Sequence, residues 1–400
     1  MNLALGKTID RWVGIPMTMF WRLADGVVGV FRKAPPPLQV ERILLIKLWG
    51  LGNIVLLLPV IRALRLRYPE ARIAFLTLRG NRQILAANPD VDEVMTLPLS
   101  SLLGFAGSAL RTIVHLRRFG ADVVVDFEQF CRISALLARA SRAPQRIGLR
   151  TAGQARHLLF TAVVPYDDRQ HMSLTFLGLA RVLGAPDGYR PLAPTFDESH
   201  RLESASLVRR AREGGAKGPL VVMHVGSGAN FVGRRWPLAS FVRLGRELAK
   251  CHDAAIILTG VPDERALVES AREGIGAAAV CAVGELSVLG LAALLSREAE
   301  CLFANDTAPV HLASAVGCPV FGFYGPNTPL LYGPIGVEGA VFYHRLPCSP
   351  CLTNLNAKES SCRLPVCIES ISVEEVLGAY ESFRGGESAG FDAGGGGLLA

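Results

Sequence analysis

Aromatic residues make up only 7% of this 400-residue chain. Few are interleaved with its arginines, which are scattered through helical patterns, and no RNA- or DNA-binding motif is present. Nucleic acid is therefore set aside as a partner. The N-terminus carries no secretory signal ahead of a cleavage site, and Arg22 and Asp25 break its apolar portion before it can span a bilayer. The tripeptide GKT at 6–8 lacks both the first glycine of a phosphate loop and the strand before it. The turn at 50–55 lacks the third glycine of a dinucleotide fingerprint, with Val55 in its place, and no acidic residue closes the next strand at Leu78. Both absences argue against a nicotinamide-dependent oxidoreductase.

Half of the composition is hydrophobic, enough at this length for two or three domains with cores of their own. A formal charge of +7 favours an anionic partner such as acidic lipid headgroups or a phosphorylated substrate. Near the N-terminus, helical spacing puts Val13, Phe20, Leu23, Val27 and Phe31 on one face, with Trp12 and Trp21 close by. Lys7, Arg11, Arg22, Arg32 and Lys33 are the basic complement. That pattern predicts an interfacial helix on a membrane surface, the alternative being a helix packed on the protein itself.

After the Ala-Pro-Pro-Pro break at 34–37, strand and helix signals alternate. RILLIKLW, ARIAFLTL, VDEVMTLP, ADVVVDFE, RIGLR and HLLFTAVVPY read as strands with helical segments between most of them, the rhythm of a parallel sheet. A polar, charged stretch at about 189–218 precedes a restart: PLVVMHV, AAIILTG, AAAVCAV, ECLFAN and PVFGFYG are strands, again alternating with helices. The fold class expected is α/β, two doubly wound Rossmann-like domains facing across a cleft. Its parts are a membrane-associating segment at 1–37, a first domain at 38–195, an interdomain segment at 196–218, a second domain at 219–384 and a disordered Gly-rich tail at 385–400.

Two stretches in the second half carry chemistry. HVGSGANFVGRRWP follows a strand and leads into a helix, so that Gly226, Ser227 and Gly228 offer donors and Arg234 and Arg235 fixed cations, a diphosphate cradle in outline. In FANDTAPVHLASAVG, Asp306 or Thr307 can cap a helix with Pro309 in its first turn, and His311 lies one turn in on the same side. A helix start with a hydroxyl and an imidazole beside a strand end suits a phosphate or a sugar hydroxyl. In the first half, LLIKLWGLGNIVLLLP places Asn53 at the mouth of a strand, glycine turn and helix.

Taken in order, IKLWGLGNIVLLLPVIRALRLRYP, HVGSGANFVGRRWP, LTGVPDERAL and NDTAPVHLASAVGCPVFGFYGP resemble the family 9 glycosyltransferases, best known for ADP-heptose:lipopolysaccharide heptosyltransferases, over about 42–376. The resemblance implies a GT-B fold, with the acceptor held by the first domain and the nucleotide-sugar donor by the second. It implies inverting transfer, without metal or cofactor, from a donor such as ADP-heptose to a lipopolysaccharide core or similar phosphorylated glycolipid or glycan. Such a protein works in the cytoplasm, on the inner face of the cytoplasmic membrane. By motif position Gly226, Ser227 and Arg234 would lie at the donor diphosphate, and Asp306, Thr307 and His311 would line the donor site. Ala308 stands where the family usually has glycine, and Asp263 or Glu264 is a candidate for the ribose.

Asn53 stands where these enzymes place an aspartate thought to deprotonate the acceptor, and an amide cannot hold that proton. Asp126, Glu128 and His171 are the candidate replacements, with Glu128 the expected base beside Asn53. Gly52 and Arg132 are assigned to the acceptor, Arg132 to its phosphate. The alternative is a nonenzymatic nucleotide-sugar- or glycan-binding relative. Cys348, Cys351, Cys362 and Cys367, four of the nine cysteines, can close a structural zinc site, against free thiols or disulfides. The other five lie in apparent core elements, as suits a reducing compartment.

Overall fold

The computed structural model describes residues 10–17, 20, 40–98, 102–228 and 231–387. Most of the expected interfacial helix, including Leu23, Val27 and Phe31, and nearly all of the Gly-rich tail lie outside the described residues. The chain forms two units, Met1–Asp168 with Met172–Tyr189, and Arg169–His171 with Arg190–Ala400.

Among the described residues the first unit holds a six-stranded parallel sheet in the order β3-β2-β1-β4-β5-β6. Its strands are β1 (Arg42–Ile46), β2 (Arg72–Leu78), β3 (Glu93–Leu97), β4 (Val123–Asp126), β5 (Gln145–Arg150) and β6 (Ala162–Pro165). RILLI and VVVD are apolar without alternation because helices cover both faces of a parallel sheet. Helix α1 (Leu51–Arg67) follows β1 and is buried almost all round, from Ile54 to Leu64. Strand order reverses between β1 and β4, so the loops leaving those two strands flank the crevice where such sheets bind ligands.

The second unit repeats the plan as β12-β11-β10-β7-β8-β9. Its strands are β7 (Leu220–His224), β8 (Ala255–Thr259), β9 (Ala279–Cys281), β10 (Cys301–Asn305), β11 (Val320–Tyr324) and β12 (Gly339–Tyr343). The switch point lies between β7 and β10. One face of the sheet is closed by an aromatic cluster: Trp236 stacks on Phe323 at 4.3 Å, and Phe241 meets both rings edge-on. Removing a buried ring of this kind costs about 3–5 kcal/mol.

The fold corrects several boundaries. The helix Glu198–Arg212, read from its charge as an interdomain segment, belongs to the second unit: Leu207 and Ala211 are buried, and Glu203 accepts from Ser287 N and Oγ at 2.9 and 2.7 Å. The first half of HLLFTAVVPY is a helical turn, Arg156–Leu159, and only its end is β6. Strand β12 and the helix Val373–Arg384, whose Val376 and Tyr380 complete the second core, were not read from the sequence at all.

Candidate functional site

The second unit gathers its polar residues at the carboxyl ends of β7, β8, β10 and β11. Glu264, in the turn Pro262–Glu264 after β8, is nearly buried, and its Oε1 accepts from Ser227 N at 2.9 Å, Gly228 N at 2.8 Å and Arg235 Nη2 at 3.1 Å. Gly226 is required sterically, since a Cβ there would come within 1.9 Å of Glu264 Oε2. Burial raises the Glu264 carboxyl, but the N–H donors of Val261 and Gly228 and the neighbouring His224 outweigh it and hold the group ionised. Asp263, the expected ribose partner, is exposed; Glu264 is the carboxylate that faces the loop.

Asn305 ties the site together, a role the sequence did not suggest. Its amide donates to the carbonyls of Val225 and Gly226 at 3.1 and 2.9 Å while its oxygen accepts from Trp236 N at 2.8 Å. One side chain therefore fixes the glycine loop and the Arg-Arg-Trp-Pro loop to the end of β10. Arg235 completes the brace through Ser227 Oγ at 3.0 Å. Arg234 differs: it donates to the Ser227 carbonyl, lies 3.9 Å from Asp306 Oδ2, and its buried Nε has no hydrogen-bond partner. Burial lowers its pKa, opposed by Asp306 and Glu264, so this guanidinium is largely desolvated, with Asp306 as its ion-pair partner at 3.9 Å.

Helix α2 (Ala308–Val316) begins beside it. Thr307 occupies the capping position, but its hydroxyl donates to the Asn305 carbonyl at 2.9 Å, and no side chain caps the helix. Asp306 is engaged instead by Asn327 Nδ2 at 2.6 Å. His311, one turn in, is buried with an unpartnered Nδ1, and burial pushes its pKa down to about 4, so the ring is neutral near pH 7. Gly226, Ser227, Arg234, Asp306, Thr307 and His311 are thus brought together at the switch point. The uncapped start of α2, the neutral imidazole and the guanidinium suit a phosphorylated ligand, while the N–H groups of Ser227 and Gly228 are held by Glu264.

The first unit is arranged differently. Gly50, with φ 88°, leaves β1 in the left-handed region, and a Cβ there would meet Asn53 Nδ2 at 2.8 Å. Asn53 lies in the first turn of α1 with its buried Oδ1 unpartnered, and Gly52 is buried beside it. Glu128 is not free to act as a base. Its Oε2 accepts from Lys47 Nζ at 2.7 Å and its Oε1 from Leu48 N and Trp49 N at 2.7 and 2.8 Å, all within a sealed interior. Asp126 is equally committed, to Arg156 at 2.6 Å and Ser134 at 2.8 Å, with burial raising its pKa. His171 belongs to the second unit, where it bonds the Gly333 carbonyl at 3.2 Å, and burial with the nearby His311 lowers it to about 3.

Arg132 is occupied too. It starts the helix Arg132–Ala140, and Asp10 accepts from the backbone of Ile133 at 2.9 Å and from Arg132 Nη1 at 3.3 Å, capping that helix from 122 residues away. The acceptor-phosphate reading of Arg132 therefore meets an internal carboxylate already in place. All nine cysteines are free thiols. Burial, with the thiols of Cys351, Cys362 and Cys348 adding to it, pushes Cys367 up to about 11, yet among the described residues no three His, Cys, Asp or Glu side chains are placed to hold a metal ion.

Two successive doubly wound parallel sheets are the architecture of solved glycosyltransferases. The chain matches the family 9 glycosyl transferase of Veillonella parvula with a TM-score of 0.73 at 20% identity, over 87% of this chain and 98% of that one. It matches the ADP-heptose lipopolysaccharide heptosyltransferase II of E. coli at 0.67 and 19% identity, over 86% and 99%. The chain belongs to glycosyltransferase family 9, the heptosyltransferase family, whose model matches residues 109–361. Among curated relatives, lipopolysaccharide heptosyltransferase 1 of Pseudomonas aeruginosa is 24% identical over 322 residues, 78% of this chain and 86% of the relative.

Proposed function

We propose that this protein transfers a heptose or related sugar from a nucleoside-diphosphate donor, ADP-heptose first among candidates, to a lipopolysaccharide core or similar glycolipid. In this reading the second unit holds the donor and the first the acceptor, and transfer inverts the anomeric centre without a metal ion. The observation that carries it is Arg234, a desolvated guanidinium with an unpartnered N–H beside an uncapped helix start. Those groups supply the positive potential a departing diphosphate requires. The relatives named above, heptosyltransferases by name and one of them an ADP-heptose enzyme, support the donor class.

Attack by the acceptor hydroxyl forms the new C–O bond as the bond to the diphosphate breaks. With Asp126 and Glu128 sequestered, Asn53 orients the hydroxyl by accepting its hydrogen bond, and the proton leaves to water. The protein works on the inner face of the cytoplasmic membrane through its N-terminal segment, in which Trp12 and Phe20 are 74% and 63% exposed. Among the described residues no helix is long and apolar enough to cross a membrane. A panel of ADP-, GDP-, UDP- and dTDP-sugars tests the donor class: selective thermal stabilisation by ADP-sugars is expected, and none by any nucleotide sugar would refute it. Donor binding without turnover on any glycolipid acceptor would favour the nonenzymatic reading that Asn53 and the buried carboxylates raise.

A further inference from the structure

We propose that Lys358 is a second cation of the donor site, delivered by the cysteine-containing loop between β12 and the helix Val366–Glu369 to bind the donor's diphosphate. The inference rests on the donor reading above and goes beyond it, because Lys358 lies outside both motifs that define that site.

The loop returns to the carboxyl edge of the second sheet. Cys351 N and Leu352 N both donate to the Pro326 carbonyl, at 2.9 and 2.7 Å, just past the end of β11, and Ser349 Oγ donates to the Gly325 carbonyl. Farther along, fully buried Asn354 accepts from Tyr332 OH at 3.0 Å. The loop is thereby fastened on both sides of Asn327, the residue that holds Asp306. At its tip Lys358 N donates to the Thr353 carbonyl at 2.9 Å, closing a turn in which Ala357 and Lys358 have φ of 54° and 59°. Two successive non-glycine residues in the left-handed region are uncommon, and such conformations persist where the surroundings impose them.

That turn lays the Lys358 ammonium over the Tyr332 ring, 3.8 Å from its centroid, and the same ring lies 6.3 Å from the His311 imidazole. Lys358 and Asp306 are the two charges that act on buried His311, with opposite signs. An ammonium seated on an aromatic face keeps its charge while its stem is immobilised. Arg234 thus lies 3.9 Å from Asp306 just before α2, and Lys358 lies against Tyr332, the ring beside His311 one turn into that helix. A diphosphate has two charged groups to satisfy, and the two cations answer them separately.

Calorimetric binding of ADP and of adenosine to the full chain tests this, with Lys358→Met and Lys358→Arg beside the wild type. Lys358→Met is expected to weaken ADP about tenfold, the loss of one charge-assisted contact, and to flatten its salt dependence. Adenosine, which has no phosphate, is expected to bind all three equally, and Lys358→Arg to retain most of the ADP affinity. A purely structural lysine would move both ligands or neither. Undiminished ADP binding by Lys358→Met, or an equal loss for adenosine, would overturn the role of Lys358 alone. Failure of the wild type to bind ADP or any other nucleoside diphosphate would overturn the donor reading and this proposal with it.

Discussion

Lys47 Nζ donates to Glu128 Oε2 at 2.7 Å, and the two side chains are 1% and 0% exposed. Because the other carboxylate oxygen accepts from Leu48 and Trp49, this pair fixes where the chain leaves β1 and so where the Gly50 turn and Asn53 lie. A buried pair that loses one partner leaves an uncompensated charge. Lys47→Met is therefore expected to cost about 3–5 kcal/mol in urea unfolding. Leucine and methionine replacing both members should recover part of that loss. A cost below about 1 kcal/mol for the single change would show that the pair is hydrated in solution.

Asn53 carries the acceptor half of the account. Asn53→Ala is expected to lower kcat/KM by about 10- to 100-fold while ADP affinity and folding stay unchanged, as for loss of a hydrogen bond that orients the attacking group. Asn53→Asp is expected to retain or raise turnover, since a carboxylate at that position can also take the proton. Full activity of Asn53→Ala would remove the residue from the mechanism.

Stability should fall on mild acidification. His171 and His311 are pushed by burial to about 3 and about 4, below the ordinary 6.5, so between those limits the unfolded chain binds protons that the folded chain excludes. The stabilisation is complete above pH 6.5 and is lost as pH falls, at up to ~1.4 kcal/mol per pH unit for each imidazole. Urea midpoints at pH 7.5 and 5 read this directly. His171→Asn should show a shallower pH dependence than the wild type, and an unchanged slope would mean that His171 titrates normally in the folded protein.

The N-terminal segment is expected to bind vesicles containing phosphatidylglycerol through Trp12 and Phe20, weakened but not abolished by salt. Trp12→Ala should reduce sedimentation with such vesicles without changing urea stability. Asp10→Ala should instead cost about 0.5–2 kcal/mol, since its carboxylate caps the helix Arg132–Ala140. Equal vesicle binding by Trp12→Ala and wild type would contradict the membrane reading.

The alternation of apolar strands and helices was legible because parallel sheets demand continuous apolar runs, and the two glycine loops and the Asn-Asp-Thr block announced themselves by local spacing. Long-range pairing was not legible. Glu128 looked available for catalysis because VVVDFEQ gives no sign that Lys47, 81 residues earlier, neutralises it. Arg132 reads as available to an acceptor phosphate because nothing local reveals Asp10, and Asn305 reads as one more strand residue although it braces two loops 69 and 80 residues away. Strand β12 is not legible because only the four-residue helix Pro329–Tyr332 separates GAVFY from β11, so the strand–helix alternation gives no cue.

The β7–β10 switch point of the second unit is expected to hold a nucleoside diphosphate. A crystal structure of the full chain with ADP tests it most directly. The diphosphate is expected at the start of α2, within hydrogen-bond distance of Arg234 and of that helix's first N–H groups. ADP seated instead at the Gly50 turn of the first unit, with Arg234 still bonded only within the protein, would contradict it.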